Sequence, residues 1–259
     1  MATLQPIPTG AVRFNTDSSN MEVYIGDTWM EVAVSSPNLD GGARGVYMAG
    51  DPGSGAGDAI DFITISTTGN AIDFANSSQA RRGGRGCGSR TRGIHMGGAG
   101  SSPRFDVIDF ITIASTGNAT DFGNLTVARI FCSGTSSATR GLTVGGVVAP
   151  ATVNVIDFTT IASAGDAQDF GDLLGVKASV GALSSTTRAV FGGGYQVQSP
   201  AAATNDITFL TIATTGNSAD FGDLTNNRRY LNGVSNNTRG VFCSGSTPTA
   251  NNTIDFITI

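Results

Sequence analysis

Histidine, glutamate and charged residues in general are scarce in this 259-residue chain, and their scarcity limits the chemistry it can perform. Ser-His-Asp or Cys-His catalysis would have to use His95, the single histidine, and no nucleophile-elbow motif surrounds it. The only two glutamates, Glu22 and Glu31, lie near the N-terminus. The aspartates recur with a fixed period, as scaffold residues do, whereas a catalytic carboxylate pair need occur only once. The sequence therefore predicts a protein that is not an enzyme.

Charge and hydropathy exclude two further classes. Charged residues make up 14% of the chain and the formal net charge is −5, which does not fit a polybasic nucleic-acid binder. No stretch reaches the roughly 18 consecutive apolar residues of a membrane span. The start, MATLQPIPTG, has neither the basic segment nor the apolar run of a secretory signal. We expect a soluble protein without a secretory signal that neither binds nucleic acid nor inserts into a membrane.

Disulfides and metal sites are also poorly represented. The three cysteines, Cys87, Cys132 and Cys243, are an odd number and follow no period, so we interpret them as buried free thiols. Oxygen-bearing side chains cluster in segments such as GNATDFGNL, but these lack the Asp/Asn alternation and the distal Glu of an EF-hand loop. Asx-type turns explain them more simply. No metal or other cofactor is predicted.

The chain consists largely of one unit used about four and a half times. An IDF-type marker recurs at steps of 48, 48, 51 and 47 residues, beginning at Ile60, Ile108, Ile156, Ile207 and Ile254. A phased arginine keeps the same period, at Arg44, Arg92, Arg140, Arg188 and Arg239. The sequence thus predicts a distinct N-terminal segment, 1–40, and one repetitive domain, 41–259, with repeats at about 41–78, 79–126, 127–175, 176–226 and 227–259.

Each unit contains four short strand-like segments. In the fourth unit these are ASVGALSS, TRAVFGGG, NDITFLTI and ADFGDLT, separated by turn residues. Helical periodicity is missing throughout, which predicts an all-β protein. Both faces of IDFITI are apolar, so both sides of each small sheet must be covered, as in sheets stacked like blades around an axis.

These motifs resemble the kelch type of repeat across residues 41–259. The matching segments are the glycine-ended VFGGG (190–194), NDITFLTI (205–212) and ADFGDLT (219–225). Phenylalanine stands where kelch repeats usually carry tryptophan, at Phe74, Phe122, Phe170 and Phe221. The resemblance implies a β-propeller of four-stranded blades, with five blades expected and six as the alternative.

The N-terminal segment carries a second resemblance. GAVRFNTDSSNMEVYIGDTWMEV (10–32) predicts three short strands joined by polar turns. It resembles a small β-module that recurs in bacteriophage tail-fibre and other virion proteins, and the repeats are similar to those of structural proteins of marine and cyanobacterial phages. Residues 1–40 would then serve as a β-meander that closes the propeller or attaches it to the virion.

Together the two resemblances imply a non-enzymatic phage virion protein: a tail fibre, an appendage or a capsid-surface component. Its partners would be other virion proteins or a host-surface glycan, its location the virion, and an oligomer is compatible with the sequence. The alternative is a bacterial secreted or surface-attached carbohydrate-binding propeller.

The phased side chains are interpreted as scaffold. The recurrent phenylalanines are expected in the core between blades. The phased arginines are expected to bridge strands or blades by pairing with phased aspartates, although a ring of arginines lining a ligand channel is the alternative. One set of these aspartates is Asp61, Asp109, Asp157 and Asp255, and the other is Asp73, Asp121, Asp169 and Asp220.

Recognition is expected where the repeats differ. The turns TTGNA, STGNA, SAGDA and TTGNS are nearly uniform, whereas the connections after the glycine-ended strands differ freely. Variable loops on a rigid scaffold are typical binding surfaces, although they would also vary if nothing restrained them. The candidate recognition residues in these connections are Pro52, Pro103, Arg104, Phe105, Pro150, Tyr195, Gln196, Gln198 and Pro248.

The N-terminal segment is also predicted to close the domain. By strand count the first unit lacks an inner strand and the last lacks an outer one, and AVSSPNL (33–39) and TWMEV (28–32) can supply them. An unclosed propeller would expose a sheet edge. Five blades follow from this arrangement, and six if the three N-terminal strands form a blade of their own.

Deleting residues 1–40 tests this closure. We expect the melting temperature of the remaining domain to fall markedly, because two strands would leave its sheets, and differential scanning calorimetry measures this. A truncated chain that melts at the full-length temperature would show that the N-terminal segment is a separate module.

Overall fold

A computed structural model of the protein describes residues 7–16, 20–32, 44–53, 55–197 and 202–259. The chain divides into two compact units, 1–39 and 40–259. No described residue is helical, and the strands form small antiparallel sheets, which confirms the predicted all-β class. Consequently the described residues contain no helix that could span a membrane.

The N-terminal unit is a three-stranded meander. Its strands are β1 (Val12–Asn15), β2 (Asn20–Ile25) and β3 (Thr28–Glu31), paired in that order. Arg13 lies 2.8 Å from a carboxylate oxygen of Glu22, and its guanidinium carbon lies 4.2 Å from the ring centroid of Trp29. The Tyr24 and Trp29 rings meet edge to face at 5.3 Å. Cross-strand pairs of this kind hold a short meander in register.

The repeat region contains the remaining strands. In chain order they are β4 (Arg44–Gly50), β5 (Gly57–Thr64), β6 (Ile72–Arg81), β7 (Arg85–Gly88), β8 (Arg92–Met96), β9 (Val107–Thr112), β10 (Thr120–Asn124), β11 (Ser133–Ser136), β12 (Arg140–Val144), β13 (Val147–Val148), β14 (Ala151–Thr152), β15 (Val155–Thr160), β16 (Gln168–Asp172), β17 (Gly181–Ser184), β18 (Arg188–Gly192), β19 (Tyr195–Gln196), β20 (Ala202–Ala203), β21 (Asp206–Thr211), β22 (Ala219–Asp223), β23 (Asn232–Ser235), β24 (Arg239–Cys243), β25 (Ser246–Thr247), β26 (Thr249–Ala250) and β27 (Ile254–Thr258).

Three units form the predicted four-stranded sheets, each an up-and-down meander. Their orders are β7-β8-β9-β10, β11-β12-β15-β16 and β17-β18-β21-β22. Among the described residues, the first unit contributes β4-β5-β6 and the last β23-β24-β27. The predicted inner strand of the first unit, at 33–39, lies outside the described residues. The prediction that TWMEV supplies the outer strand of the last unit was wrong, because this segment pairs with β2 as strand β3 of the N-terminal meander. Sequence reasoning missed the two-stranded hairpins β13–β14, β19–β20 and β25–β26, which follow the glycine-ended strands.

The hydrophobic core lies between consecutive sheets. Ile94, Ile108 and Phe122 of the second unit share a cluster with Ile161 and Ala167 of the third. The third and fourth units share a larger cluster, which includes Leu142, Ile156, Phe170, Phe191 and Leu210. Both faces of an IDF-type strand are apolar because each sheet is covered on both sides by its neighbours.

The phased phenylalanines occupy these interfaces in pairs. In four successive sheets the two rings meet edge to face at 5.8–5.9 Å: Phe62–Phe74, Phe110–Phe122, Phe158–Phe170 and Phe209–Phe221. This arrangement is the preferred one for aromatic pairs and fits the predicted core role. Phe256 is the exception, with 63% of its surface exposed, because no described outer strand follows β27.

The inner strands are joined by a serine ladder. Ser136 Oγ donates to the carbonyl of Gly88 at 2.7 Å, and Ser184 Oγ donates to that of Ser136 at 2.8 Å. Ser235 Oγ donates to the carbonyl of Ser184 at 2.6 Å. Each serine thus bonds the residue one repeat earlier. Small side chains are needed here, because a Cβ on Gly134 would lie 3.0 Å from the carbonyl oxygen of Gly86.

The uniform turns join the sheets at their outer edges. Gly165 and Ala167 donate backbone hydrogen bonds to the carbonyls of Phe122 and Asn124, at 2.6 and 2.8 Å. The same contacts join Gly117 to Phe74 and Gly216 to Phe170. Each turn therefore pairs with the outer strand of the preceding sheet, and this pairing is why its sequence is nearly constant.

The glycine of the DFG motif makes this approach possible. Gly171 has φ +140°, and a Cβ there would lie 2.6 Å from the backbone of Gly216 in the next turn. Gly222 has almost the same φ, +139°, but nothing lies within 4 Å of its Cβ position. The two glycines share a backbone requirement and differ in steric surroundings.

Replacing each with alanine separates the two effects. We expect Gly171→Ala to lower the free energy of unfolding by about 1–3 kcal/mol more than Gly222→Ala, because only the first substitution forces the sheets apart. Urea denaturation of both variants measures the difference. Equal losses would mean that backbone conformation alone selects glycine at these positions.

Candidate functional site

The phased aspartates pair with a set of cations that sequence reasoning did not single out. Asp109 Oδ2 lies 2.8 Å from Arg81, Asp157 Oδ2 lies 3.1 Å from Arg129, and Asp255 pairs with Arg228. The first two pairs are fully buried. The prediction that Arg92, Arg140 and their equivalents pair with these aspartates was therefore wrong. A buried carboxylate needs a buried cation, and the segment that connects the preceding sheet to the aspartate's own sheet supplies it.

The carboxylates are also hydrogen-bonded on their other side. Asp109 accepts from the Ser78 hydroxyl at 2.6 Å and the Ser78 amide at 3.1 Å. Asp157 accepts the corresponding bonds from Thr126, at 2.6 and 3.1 Å. Each aspartate thus joins two successive units through one carboxylate.

The phased arginines are the first residues of the neighbouring strands, where each pairs with the last threonine of an IDF-type strand. In each of the five units the guanidinium carbon is 4.3–4.8 Å from the ring centroid of that unit's IDF-type phenylalanine. Arg44, Arg92 and Arg140 also donate to the carbonyls of Ile113, Ile161 and Ile212, at 2.7, 2.9 and 2.9 Å. Arg44, Arg92 and Arg140 therefore bridge sheets through carbonyls rather than carboxylates, whereas the ring contacts lie within one sheet.

The fourth unit replaces three residues of the aspartate site together. Thr208 stands where Asp109 and Asp157 stand, and Lys177 stands where Arg81 and Arg129 stand. Leu174 takes the place of Ser78 and Thr126. Lys177 pairs instead with Asp206, whose side chain is 37% exposed. The coupled change indicates that the cation and the carboxylate are required as a pair.

His95 belongs to this buried network. Its Nδ1 accepts a hydrogen bond from Arg81 Nε at 3.1 Å, so the proton of the neutral ring is on Nε2. Burial, with the nearby charges of Arg81 and Arg85, lowers the pKa of His95 to about 3. The ring is therefore neutral at physiological pH and acts as a hydrogen-bond acceptor for the arginine.

The polar segments weighed as metal ligands face the neighbouring sheet. Asn118 Oδ1 accepts from the Asn76 amide at 3.2 Å, and Asp166 Oδ1 accepts from the Asn124 amide at 2.9 Å. Among the described residues no group of three or more His, Cys, Asp or Glu side chains is placed to hold a metal ion. The three thiols are free, and burial raises the pKa of Cys87 to about 12.

The variable connections lie where their sequence position predicts, beyond the glycine-ended strands. Pro52, Pro103, Pro150 and Pro248 are exposed, and Arg104, Phe105 and Gln196 are half-buried. Tyr195 is buried, with 7% of its surface accessible. Gln198 lies outside the described residues. The candidate residues thus include both exposed hairpin tips and side chains that support them.

The hairpins are fastened to the beginnings of the inner strands. Isolated bridges join Ile130 to Val147, Ala178 to Tyr195 and Arg229 to Ser246. Ala99, Ile130, Val147, Ala178 and Tyr195 form one buried cluster beneath them. The Val197 amide also donates to Thr152 Oγ1 at 2.8 Å, which links two successive hairpins. This end of the repeat region is consequently a continuous surface, which we call the hairpin end.

Four residues in left-handed backbone conformation follow these bridges. Gly83, Phe131, Ser179 and Tyr230 have φ values of 68°, 58°, 51° and 58°. Each of the last three donates its amide to the carbonyl of the one before it, at 2.7, 2.8 and 3.2 Å. The scaffold therefore requires a positive φ at this point in each of these four units, and glycine adopts it without strain. Two units meet this requirement with a bulky aromatic residue instead.

These aromatic residues meet one another. The Phe131 and Tyr230 rings lie 6.4 Å apart at 74°, and Tyr230 lies 5.5 Å from Tyr195. The guanidinium carbon of Arg229 is 5.2 Å from the Tyr230 ring centroid and 5.3 Å from that of Tyr195. We call Phe131, Tyr195, Arg229 and Tyr230 the aromatic cluster. Gly83 and Ser179, the small residues of the series, leave room for the two large ones.

The residues of the aromatic cluster differ in their exposure to solvent. Tyr195 is buried, and burial together with the Tyr230 hydroxyl raises the pKa of Tyr195 to about 12, so its phenol stays neutral. Phe131 and Tyr230 are 36% and 45% exposed. The cluster therefore presents two rings to solvent on a buried aromatic base.

A cavity of about 120 Å³ lies between the inner strands. It is lined by residues of β7, β11, β17 and β23, among them Arg85, Ser133, Ala182 and Asn232. Phe131 and Tyr230 lie two residues before β11 and β23 in the chain. Sequence reasoning named Tyr195 but missed Phe131, Arg229 and Tyr230. The available signal was that Gly, Phe, Ser and Tyr alternate at a single repeat position.

Comparison with protein-family models and with curated proteins gives no match to this chain.

The buried ion pairs predict a large difference between two equivalent aspartates. We expect Asp157→Asn to lower the free energy of unfolding by about 3–5 kcal/mol, because Arg129 would keep its charge in a buried site. Asp61→Asn is the matched control, since Asp61 occupies the same strand position and forms no ion pair with any described residue. Chemical denaturation of both variants tests this, and similar losses would contradict a dominant role for the pair.

The buried, neutral ring of His95 should make the folded protein less stable at acidic pH. Because the folded pKa, about 3, lies below the unfolded value of 6.5, the unfolded chain takes up a proton first. The free energy of unfolding should therefore fall as the pH drops below 6.5, by up to about 1.4 kcal/mol per pH unit. Denaturation curves from pH 7.5 to 5 compare the chain with His95→Thr, the residue found at the equivalent Thr143. The variant should lose this slope, and an unchanged slope would contradict the assignment.

Proposed function

We propose that the protein is a non-enzymatic structural protein of a phage virion, whose repeat region is a kelch-like β-propeller that recognises its partner through the hairpin end. The partner would be another virion protein or a host-surface glycan. The observation that carries this proposal is the contrast between the two kinds of repeat position. Contacts between sheets fix the turns, glycines, serines and ion pairs, whereas the hairpin end varies and presents exposed aromatic rings.

The propeller part of the proposal is supported by the arrangement of the inner strands. β7, β11, β17 and β23 come from four successive units and line one cavity. A stack of sheets whose first strands share a cavity is the arrangement expected of blades around an axis. Counted with the first unit, β4-β5-β6, the proposed propeller has five blades, with six as the alternative.

The recognition part is supported by backbone strain. A bulky residue at positive φ costs roughly 1–3 kcal/mol, and such residues cluster at functional sites. Phe131 and Tyr230 carry this strain while remaining partly exposed. Burial therefore does not account for them fully, whereas contact with a ligand would.

The virion part depends on the N-terminal unit. Its three strands, with the Arg13–Glu22 and Arg13–Trp29 contacts, occupy the segment that resembles the tail-fibre module. A chain that carries both an attachment module and a recognition domain would suit a fibre, an appendage or a capsid-surface component.

Immunogold electron microscopy of gradient-purified virions tests the location. We expect labelling of the particle with antibodies against the repeat region, and a chain absent from purified particles would contradict the virion role. If the isolated chain still bound bacterial surfaces, the bacterial carbohydrate-binding alternative would be favoured.

A further inference from the structure

The aromatic cluster combines two features that together specify a ligand. Phe131 and Tyr230 offer exposed ring surface at a corner, since their planes meet at 74°. Arg229 lies against Tyr195 and Tyr230, which fix its guanidinium in place. Among the described residues, the Arg229 side chain makes no hydrogen bond or ion pair, and its backbone amide bonds Ser246. An oriented cation with free donors thus stands beside an aromatic corner.

We propose that the aromatic cluster binds an acidic saccharide, a pyranose that carries a carboxylate, with the sugar's C–H face on Tyr230 and Phe131 and its carboxylate on Arg229. This inference rests on the proposed recognition function of the hairpin end and names the chemistry of its ligand.

A comparison of the units indicates that the rings of Phe131 and Tyr230 are not needed for folding. At the same repeat position the scaffold accepts Gly83 and Ser179, so neither ring is required to form the amide chain that links Phe131, Ser179 and Tyr230. The alternation of small and large residues brings two rings together that are separated by one whole unit. Aromatic faces are partly negative, and they attract the weakly positive C–H groups of a sugar ring.

Arg229 is the reason to expect a carboxylate on the ligand. A planar guanidinium presents paired N–H donors that match the two oxygens of a carboxylate. Three other arginines near the beginnings of the inner strands are already occupied: Arg81 and Arg129 by buried aspartates, and Arg82 by Asp51 at 2.6 Å. Arg85, the first residue of β7, lines the cavity between the inner strands and is not part of the aromatic cluster. Asp51 is thereby neutralised at this end of the repeat region. A neutral sugar would offer Arg229 only uncharged hydroxyl oxygens, whereas a carboxylate adds the charge-assisted pair of hydrogen bonds.

A matched pair of ligands and three variants of the full chain test the proposal by isothermal titration calorimetry. The ligands are trigalacturonic acid and its methyl ester, which keeps the rings and removes the charge. The variants are Tyr230→Ser, which introduces the residue of the equivalent Ser179, Arg229→Gln, and the control Tyr47→Ser. Tyr47 is an exposed tyrosine outside the cluster, with 61% of its surface accessible.

We expect the acid to bind about tenfold more tightly than the ester, Tyr230→Ser to weaken both by about tenfold or more, and Arg229→Gln to abolish the preference for the acid. Tyr47→Ser should bind as the parent chain does. Melting curves of each variant confirm that it is folded. The proposal is overturned if acid and ester bind equally, if Tyr47→Ser weakens binding as Tyr230→Ser does, or if neither saccharide binds.

A second readout separates this proposal from the broader function. The same variants, carried on virions, are assayed for attachment to host cells and for incorporation into particles. If neither saccharide binds but Tyr230→Ser still reduces attachment or incorporation, the ligand is of another class and recognition at the hairpin end stands. If Tyr230→Ser changes neither, the proposed recognition function itself is contradicted.

Discussion

Close backbone contact between consecutive sheets is the constraint on which the rest of this structure depends. A small antiparallel sheet has two edges with unpaired amides and carbonyls, and leaving them unpaired in a buried place is costly. Here the outer edge of one sheet is paired by the turn of the next, and the inner edges are joined by serine hydroxyls. Only small residues allow such an approach, which explains why glycine, with 36 copies, is the most frequent residue of the chain.

The same constraint explains how a chain with few charges uses them. Arg81, Arg129 and Arg228 are completely buried, and each pairs with an aspartate of its own unit. The same carboxylates accept hydrogen bonds from Ser78, Thr126 and Thr225 of the preceding unit. The fourth unit shows how tightly the parts are coupled, because the cation, the carboxylate and the capping hydroxyl all change together at Lys177, Thr208 and Leu174. A buried ion pair contributes little net stability, but removing one partner leaves an uncompensated charge. The pairs therefore act mainly to fix how one sheet meets the next.

The sequence varies at the hairpin end, in the connections that follow the glycine-ended strands. The left-handed residues Phe131 and Tyr230, which precede two inner strands, hydrogen-bond to neighbouring units through their backbone amides. Their side chains are exposed to solvent. Glycine would adopt the required positive φ without strain, whereas Phe131 and Tyr230 adopt it at the expense of strain. This separation of backbone and side-chain roles allows a repetitive framework to carry a single, asymmetric cluster with Arg229 and Tyr195.

The sequence by itself determined the repeat, its period, the all-β class, the four strands of the middle units and the variable connections. Each of these follows from local pattern: alternation, turn residues and phase. The pairing of Asp109 with Arg81 rather than Arg92 was not predictable in this way, because both arginines keep the same period and only three-dimensional placement distinguishes them. The aromatic cluster was hidden for a related reason, since Phe131 and Tyr230 lie 99 positions apart in the sequence and only the stacking of sheets brings their rings within 6.4 Å. Contacts within a unit are encoded locally, whereas contacts between units depend on how the sheets stack, and the candidate site consists of the second kind.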